Sequence, residues 1–564
     1  MSKANYIKIP KKCTANQLAN IFEKKAKENS FSQIAISLNK KKNIKGILTL
    51  GDFRRILSKF GRQENVNKHL NKSPIIVKEN ELNNKLNSLI EFKKSLKKNL
   101  KKIDQIIVVD KQNNITSIRN FSEIENNSNF KEITVVGLGH IGLPLSIYLL
   151  KFFSHVNGVD INMKKINDIK RLKLNFYEKN LNQLLYKSLS SKRLMISNDI
   201  EKFQSQIYII CLGSEIKKNN SISNISLINL SKKLGKKISK NDLVIMRGTV
   251  QVGINRNIFV KNLEKYSKLR CGKDFYFSYM PERIIEGNAL QELENVPQIV
   301  SGFSEKCKEK AVEFCSKAFK SFIELEKLEE GEIIKLTSNA YRDLSFAFSN
   351  EISRISSYYR LSGANLIEKA NFGYPRNSIA KPSMGVGGYC LPKDRFLFEK
   401  LHNPQHKGYL LAKISKEINN NSVSEVFRKI KKFYFNKIRK KKINILIFGI
   451  TFKGLPETID VRNSPSIELA NKLSKLNCNI KFYDAMYKEL IKTDFDFKKK
   501  LINNKNYINK SDIIILANLH ESYQKILEEN LKFNRSTKNK LIFDCWNLLD
   551  KEYIQNLNWH YSNI

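Results

Sequence analysis

The residues best suited to chemistry fall in a few short stretches. Cys390 stands in Gly385-Val386-Gly387-Gly388-Tyr389-Cys390-Leu391-Pro392-Lys393-Asp394, a glycine-rich loop that leaves a thiol open to a substrate. A thiol there can attack a carbonyl carbon. A nearby Lys favours the thiolate and stabilises an oxyanion, and a carboxylate positions or deprotonates water. Lys393 and Asp394 follow the cysteine directly. Lys335 and Asn339, in Glu332-Ile333-Ile334-Lys335-Leu336-Thr337-Ser338-Asn339, are four residues apart, so a helix places both on one face. Pro281-Glu282-Arg283-Ile284-Ile285-Glu286-Gly287 adds two carboxylates, and Gly449-Ile450-Thr451-Phe452-Lys453 with Asp460-Val461-Arg462-Asn463-Ser464-Pro465 adds two cations. Together these residues suit covalent chemistry at a carbonyl.

A second kind of site precedes them. Gly137-Leu138-Gly139-His140-Ile141-Gly142 lies between the apolar run Ile133 to Val136 and a helix-compatible segment, and Asp160 closes the next strand 23 residues after Gly137. That order is what a dinucleotide fold needs: glycines for the tight turn, backbone and helix N-terminus for the pyrophosphate, and close helix packing. Gly137, Gly139, His140, Ile141 and Gly142 are therefore the expected cofactor turn. Asp160 would accept from ribose hydroxyls and repel a 2′-phosphate, favouring NAD over NADP, unless it is only a strand-end turn residue.

The elements that position these residues follow from hydrophobic periodicity. Ile133 to Val136, His155 to Val159, Ile207 to Cys211, Leu243 to Met246 and Gln298 to Val300 alternate with helical stretches, the mark of a parallel doubly wound sheet. From about Leu325 to Ile418 the pattern is long, helical and strand-poor. A second alternating series follows at Ile443 to Phe448, Ile480 to Tyr483, Ile513 to Ala517 and Leu541 to Phe543. Before all this, Ile34 to Leu38 with Ile44 to Thr49, and Ile106 to Asp110 with Ile115 to Ile118, form two matching α/β segments. The expected domains are 1–128, 129–322, 323–429 and 430–564.

From about residue 131 onward the chain resembles the UDP-glucose/GDP-mannose dehydrogenase family, in the order GLGHIGLPL, PERIIEG, EIIKLTSNAYRD, GVGGYCLPKD and GITFKGLPETIDVRNSP. The resemblance implies an α/β fold of two Rossmann-like doubly wound domains joined by a helical middle. It implies NAD-dependent oxidation of C6 of a UDP-sugar to the carboxylate, through a thiohemiacetal and then a thioester on Cys390. Lys335 would stabilise oxyanions, Asn339 would hold the substrate, and Asp394 would assist water or proton transfer. Glu282 would be a general base or water-orienting carboxylate, and Glu286 either its support or merely a helix-start carboxylate. Thr249 would lie near the catalytic water and cofactor, and Gly387 at the substrate. Lys453 and Arg462 would bind the UDP phosphates or sugar, Arg462 reaching a neighbouring subunit's site, which implies a homodimer or larger homo-oligomer.

The PER and GVGGYC variants are closer to the branch acting on UDP-N-acetylhexosamines, with UDP-N-acetyl-D-mannosamine or UDP-N-acetyl-D-glucosamine favoured. A UDP-glucose 6-dehydrogenase and a catalytically silent nucleotide-sensing scaffold are the alternatives. The chain also departs from the family pattern. Cys211-Leu212-Gly213-Ser214-Glu215 replaces a Val-Pro-Thr-Pro turn, Gly248 replaces a Ser before Thr249, and Ser383-Met384 replaces Gly-Pro before the cysteine loop.

The first segment resembles a pair of cystathionine-β-synthase (CBS) repeats, which implies a regulatory α/β module. Thr49 and Asp52 in Lys45-Gly46-Ile47-Leu48-Thr49-Leu50-Gly51-Asp52 would hold an adenine nucleotide. Ser117, Asn120 and Glu123 stand at the matching, degenerate positions. An assembly module without ligand is the alternative.

Composition sets outer limits. The 564 residues carry 100 Lys+Arg against 54 Asp+Glu, a formal charge of +46, yet the lysines are scattered and no Arg–aromatic cluster marks a nucleic-acid surface. Nucleic acid is not an expected partner. The 8 cysteines form no CxxC pair and no Cys/His zinc spacing, so no metal is expected. Nor does any apolar run approach the ~20 residues that cross a bilayer. The expectation is a cytoplasmic, thiol-reduced protein feeding uronic acids to a surface polysaccharide.

Overall fold

The structure is a computed structural model that describes residues 6–27, 34–39, 43–72, 74–78, 105–110, 112–120, 132–217, 219, 221–399, 401, 410–434, 442–531 and 539–564. The chain divides into two compact units, Met1–Asn129 and Phe130–Ile564.

In the first unit, β1 (Ile7–Ile9), α1 (Ala15–Lys27), β2 (Ile34–Leu38), β3 (Ile44–Thr49) and α2 (Leu50–Phe60) follow one another. β1 runs parallel to β2, and β2 antiparallel to β3. The same arrangement recurs in β4 (Ile75–Lys78), β5 (Gln105–Val109) and β6 (Ile115–Asn120). Both hairpins even shift register at equivalent points, between Ser37 and Leu38 and between Val108 and Val109. The two sheets share a cluster in which Ile34, Ile36 and Ile47 meet Ile107 and Val109. Repetition of the sequence pattern is thus repetition of structure.

Thr49 and Asp52 are already engaged at the start of α2. The Thr49 hydroxyl accepts the Asp52 N–H (3.2 Å), while Asp52 Oδ2 accepts the Thr49 N–H (3.0 Å) and hydroxyl (2.7 Å). This is a reciprocal cap on the helix end, and Arg55 pairs with the other Asp52 oxygen. Ser117 and Asn120 lie on β6, and Glu123 lies outside the described residues.

The second unit contains two large sheets. The first holds β7 (Ile133–Val136), β8 (Val156–Val159), β9 (Leu194–Ser197), β10 (Ile207–Ile210), β13 (Leu243–Met246), β14 (Tyr276–Tyr279), β15 (Gln298–Gly302) and β16 (Phe322–Leu325), with the short hairpin β11 (Glu215–Ile216) and β12 (Ile222–Ser223) outside it. Its order is β16-β15-β14-β13-β10-β7-β8-β9, parallel except between β14 and β15. The chain therefore reverses direction across the sheet between β7 and β10, where crossovers leave a crevice at the carboxyl ends of the strands. Alternate residues feed two cores: Ile133, Val135, Ile207 and Ile209 face one side, and Val136, Tyr208 and Ile210 the other. Both faces are covered, as a parallel sheet requires.

The second sheet repeats this plan in β17 (Ile443–Phe448), β18 (Cys478–Tyr483), β19 (Leu501–Ile502), β20 (Ile513–Leu516), β21 (Leu541–Asp544) and β22 (His560–Asn563). The order is β19-β18-β17-β20-β21-β22, all parallel.

Five further helices matter for the site: α3 (Gly142–Leu149), α4 (Glu305–Ala318), α5 (Leu328–Tyr358), α6 (Cys390–Glu399) and α7 (Leu410–Phe433). α5, at 31 residues, is the axis against which α6 and α7 pack. α7 extends to Phe433. No helix among the described residues is long and apolar enough to cross a membrane.

Candidate active site

The glycine turn joins β7 to α3. Gly137 adopts φ +94°, a conformation that L side chains rarely reach. A Cβ at Gly142 would collide with the carbonyl of Gly137, so the third glycine lets helix and turn close together. A Cβ at Gly139 would instead project into open space. α3 begins without any side-chain cap. Open space over a glycine backbone beside an uncapped helix N-terminus fits a dinucleotide pyrophosphate.

Asp160, 6% exposed at the end of β8, holds this turn through its Oδ2, which accepts the Leu138 N–H (2.9 Å) and pairs with Lys165 (2.7 Å). A cavity of about 250 Å³ lined by Leu138, Asn162, Lys165, Ile169 and Phe176 adjoins it, room for the adenosine end. Burial, with the charge of Arg462, pulls His140 down to about 4, so its imidazole is neutral near pH 7.

The departures on the cofactor side compensate one another. Any side chain at residue 248 would run into the Leu212 carbonyl, and one at 213 into the Thr249 carbonyl. Gly248 and Gly213 thus let the turn after β10 lie against the strand end after β13. There Ser214 donates its N–H to the Thr249 carbonyl (2.9 Å) and accepts the Gln251 N–H on its hydroxyl (3.0 Å). Thr249 sits at this contact.

Cys390 opens α6 and is exposed at its surface. Desolvation by the surrounding protein and then the Asp394 charge push its thiol up, while Lys335, Lys393 and Arg462 pull it down. Four charged side chains therefore converge on one sulfur. Asp394, 1% exposed, accepts from Asn339 Nδ2 (2.6 Å) and pairs with Lys393 (2.5 Å). The expected thiol, lysines, amide and carboxylate form one constellation.

A buried polar network, unread in the sequence, sets that geometry. Arg395 on α6 pairs with Asp343 on α5 at 3.1 Å, with side chains 7% and 1% exposed. Asn419 on α7 donates to Asp343 Oδ1 (3.1 Å), Asn350 on α5 donates to Asn419 (3.2 Å), and Asn350 Oδ1 accepts the Ser383 N–H (2.8 Å). Ser383 thereby anchors the loop, and its neighbour Met384 fills the core of the last domain. This gives the Ser383-Met384 departure a structural role.

The last domain closes the loop from outside. The Gly388 N–H donates to the Arg462 carbonyl (2.9 Å), and Asn463 Nδ2 donates to the Gly388 carbonyl (2.9 Å). A side chain at Gly387 would strike Phe452, Asn463 and Pro465. Arg462 binds Asp460 (2.7 Å) and lies over the Tyr389 ring at 5.1 Å. Lys453 donates to the Glu286 carbonyl (2.6 Å), and burial pulls its ammonium down to about 8. The Glu286 carboxylate accepts the Thr458 hydroxyl (2.7 Å), so Glu286 links the domains rather than starting a helix.

Glu282, expected as a general base or water-orienting carboxylate, is held by several contacts. Its carboxylate is 4% exposed and ion-paired to Arg247, and Oε1 accepts the N–H groups of Arg283 (2.9 Å) and Ile284 (3.1 Å). Its main-chain carbonyl, however, receives Lys335 Nζ. Glu282 therefore sets the ammonium beside the sulfur.

Three other side chains escaped the sequence reading. Arg247 is legible only through its partner. Arg342 lies three residues after Asn339, and its charge acts on Lys453; helical spacing from Lys335 is the signal that finds it. Glu332, fully buried, accepts the Gly253 N–H (2.7 Å) and Asn255 Nδ2 (2.7 Å), and burial raises it to about 7. Among the described residues no group of three His, Cys, Asp or Glu side chains is placed to hold a metal ion.

Comparison with known proteins gives this architecture its class. Residues 131–323 match the NAD binding domain of the UDP-glucose/GDP-mannose dehydrogenase family, 329–421 its central domain and 446–551 its UDP binding domain. A UDP-N-acetyl-D-mannosamine dehydrogenase of Methanocaldococcus jannaschii is 31% identical over 436 residues, 76% of this chain and 96% of that protein. One of Campylobacter jejuni is 29% identical over 415 residues, 71% of this chain and 98% of that protein. The solved UDP-D-ManNAc dehydrogenase of Pyrococcus horikoshii superposes with a TM-score of 0.67 at 25% identity, covering 77% of this chain and 99% of that one. The chain belongs to the UDP-glucose/GDP-mannose dehydrogenase family. It is an NAD-dependent nucleotide-sugar dehydrogenase whose substrate is a UDP-sugar.

Breaking the Asp343–Arg395 pair should leave a buried uncompensated charge. Arg395→Leu is expected to lose about 3–5 kcal/mol of stability in urea unfolding. A loss below about 1 kcal/mol would show that the pair does not hold α6.

Proposed function

We propose that this enzyme oxidises C6 of UDP-N-acetyl-D-mannosamine, or of UDP-N-acetyl-D-glucosamine, to the uronate for surface polysaccharide synthesis in the cytoplasm. The observation that carries the chemistry is Cys390 at the start of α6 among Lys335, Lys393, Arg462 and Asp394. The names of the mannosamine dehydrogenase relatives favour the first sugar. UDP-glucose is the rival. A silent scaffold is disfavoured by the complete constellation.

Gly137, Gly139, His140, Ile141 and Gly142 would hold NAD, with Asp160 available to its ribose, and NAD would supply the hydride acceptor for both oxidations. Thr249 borders it. Lys453, Arg462 and Arg342 hold the UDP phosphates and sugar against Gly387. The Cys390 sulfur adds to the C6 aldehyde carbon, and its proton ends on the former aldehyde oxygen, which the Lys335 ammonium steadies. After the second oxidation, water oriented by Asp394 adds to the thioester carbon and releases Cys390 as the thiol. Asn339 fixes Asp394 during both additions, and Glu282 fixes Lys335.

A second copy of the chain covers α5. Tyr341, Phe348 and Ile355 recur every seven residues along it and are 64%, 54% and 56% exposed, an apolar stripe typical of a helix seam. For the first unit, the repeated sheets support a CBS pair as a regulatory module, with an adenine nucleotide at Thr49 and Asp52.

With NAD⁺ and a panel of the two N-acetylhexosamine nucleotides and UDP-glucose, two NADH per UDP-N-acetylmannosamine should form, and Cys390→Ser should form no uronate. ATP should change the rate. Preference for UDP-glucose, or uronate from the Cys390→Ser enzyme, overturns the sugar or the sulfur respectively.

Because Lys453 is held near 8, its charge is present below that pH and lost above it. KM for the UDP-sugar should rise as pH climbs through about 8, and Lys453→Met should flatten that rise. A pH-independent KM in the parent enzyme would remove Lys453 from the phosphate site. Finally, Phe348→Glu should halve the mass seen by light scattering, whereas an unchanged mass would place the subunit contact elsewhere.

A further inference from the structure

Two cysteines away from the sulfur site face each other. Cys271 Sγ and Cys307 Sγ are 3.9 Å apart, both reduced, Cys307 fully buried and Cys271 half-buried. Cys307 lies in the first turn of α4, whose N-cap Ser304 accepts the Cys307 N–H on its hydroxyl. Its sulfur also accepts from the Ser304 hydroxyl (3.3 Å) and the Phe277 N–H (3.4 Å). The contact with Cys271, ahead of these two donors, pulls the Cys307 thiol below its ordinary range, and the same contact pushes Cys271 up. The helix N-terminus and the Ser304 and Phe277 donors all favour negative charge on the Cys307 sulfur.

The backbone is shaped for this approach. Cys271 and Phe275 bridge a tight turn in which the Gly272 N–H donates to the Phe275 carbonyl (2.8 Å). Gly272 adopts φ +81°, and a Cβ there would stand 2.7 Å from Ser304 Oγ. Glycine is what allows the turn to close onto α4. The Cys271 N–H is fixed by Glu264 Oε1 (3.0 Å), which limits the sulfur's retreat.

We propose that Cys271 and Cys307 are an oxidisable dithiol, a modification site that a peroxide converts to an intrachain disulfide. Cys271 is the member a small oxidant reaches. As its sulfur attacks one peroxide oxygen, the O–O bond breaks, and the Cys271 thiol proton goes to the departing hydroxide, which leaves as water. Cys271 is then a sulfenic acid. The Cys307 sulfur, giving up its proton, attacks the Cys271 sulfur; the S–S bond forms, the S–O bond breaks, and a second water leaves. Two thiols lose two electrons in all, and one peroxide becomes two waters. The sulfurs must approach from 3.9 Å to about 2.05 Å. The bond would tie this turn to α4 beside β14, the strand that leads to Glu282. A reducing dithiol restores both thiols by exchange.

The test is peroxide treatment of the full-length enzyme, followed by non-reducing peptide mapping and a thiol count in denaturant. A peptide linking Cys271 to Cys307 should appear and vanish with dithiothreitol, and these two should account for a loss of two of the 8 thiols. In Cys307→Ser the link should be absent and Cys271 should be trapped as sulfenic acid by dimedone. In Cys271→Ser, Cys307 should stay unmodified. Recovery of Cys271 without the link in folded parent enzyme, or as sulfinic acid only, overturns the proposal. So does dimedone labelling of Cys271 to the same extent in the parent and in Cys307→Ser, since the resolving thiol would then do nothing.

Discussion

The sulfur site depends on how one short helix is docked on one long one. α6 carries Cys390 and Asp394, and α5 carries Lys335 and Asn339. They meet through Asn339–Asp394 and Asp343–Arg395, both pairs buried. In a low-dielectric interior a polar group without its partner costs far more than it does in water, so such contacts favour one register over others. Asn419 and Asn350 extend the same constraint to α7 and to the loop before the cysteine. Cys390 is thereby positioned by a network that reaches well beyond its own loop.

Around this pair the two doubly wound domains close from opposite sides. The first domain contributes the glycine turn and the Glu282 carbonyl that receives Lys335. The last contributes the backbone of Arg462 and Asn463, which grips Gly388. Contact this close is possible because glycines meet it: a Cβ at Gly287 would collide with the Glu457 carbonyl, and one at Gly387 with Phe452. Lys453, reaching the Glu286 carbonyl, fastens the same seam. Side chains from three segments are therefore held at one junction.

The cofactor side shows how departures from a family pattern are absorbed locally. Leu212 and Gly213 after β10, and Gly248 before Thr249, look like separate changes along the chain. In the fold they are one contact, since the Leu212 carbonyl occupies the space that a side chain at 248 would need. The pocket keeps its open glycine backbone at Gly139 and its uncapped helix end. The chemistry of the turn survives because it rests on main-chain groups.

Much of the architecture was legible in the sequence. Apolar runs announce buried parallel strands such as Ile207–Ile210 and Ile513–Ile515, because both sheet faces are covered. Strands lacking such a run were not legible: Leu194–Ser197 is only partly buried, and His560–Asn563 is a polar edge strand stabilised by its neighbour's ladder. Tyr276–Tyr279 was hidden by Ser278, whose hydroxyl is satisfied across the sheet by the Ser301 carbonyl. The sequence by itself determined the reactive groups, the thiol, lysine, amide and carboxylate, and the glycine turn, since these rest on residue type and local spacing. Only the tertiary structure decided their state. It showed Glu282 bound by Arg247, Arg462 laid over its own chain's Tyr389, and Cys271 facing Cys307. Partners so far apart in sequence meet only when packing brings their elements together, and no local pattern encodes that meeting.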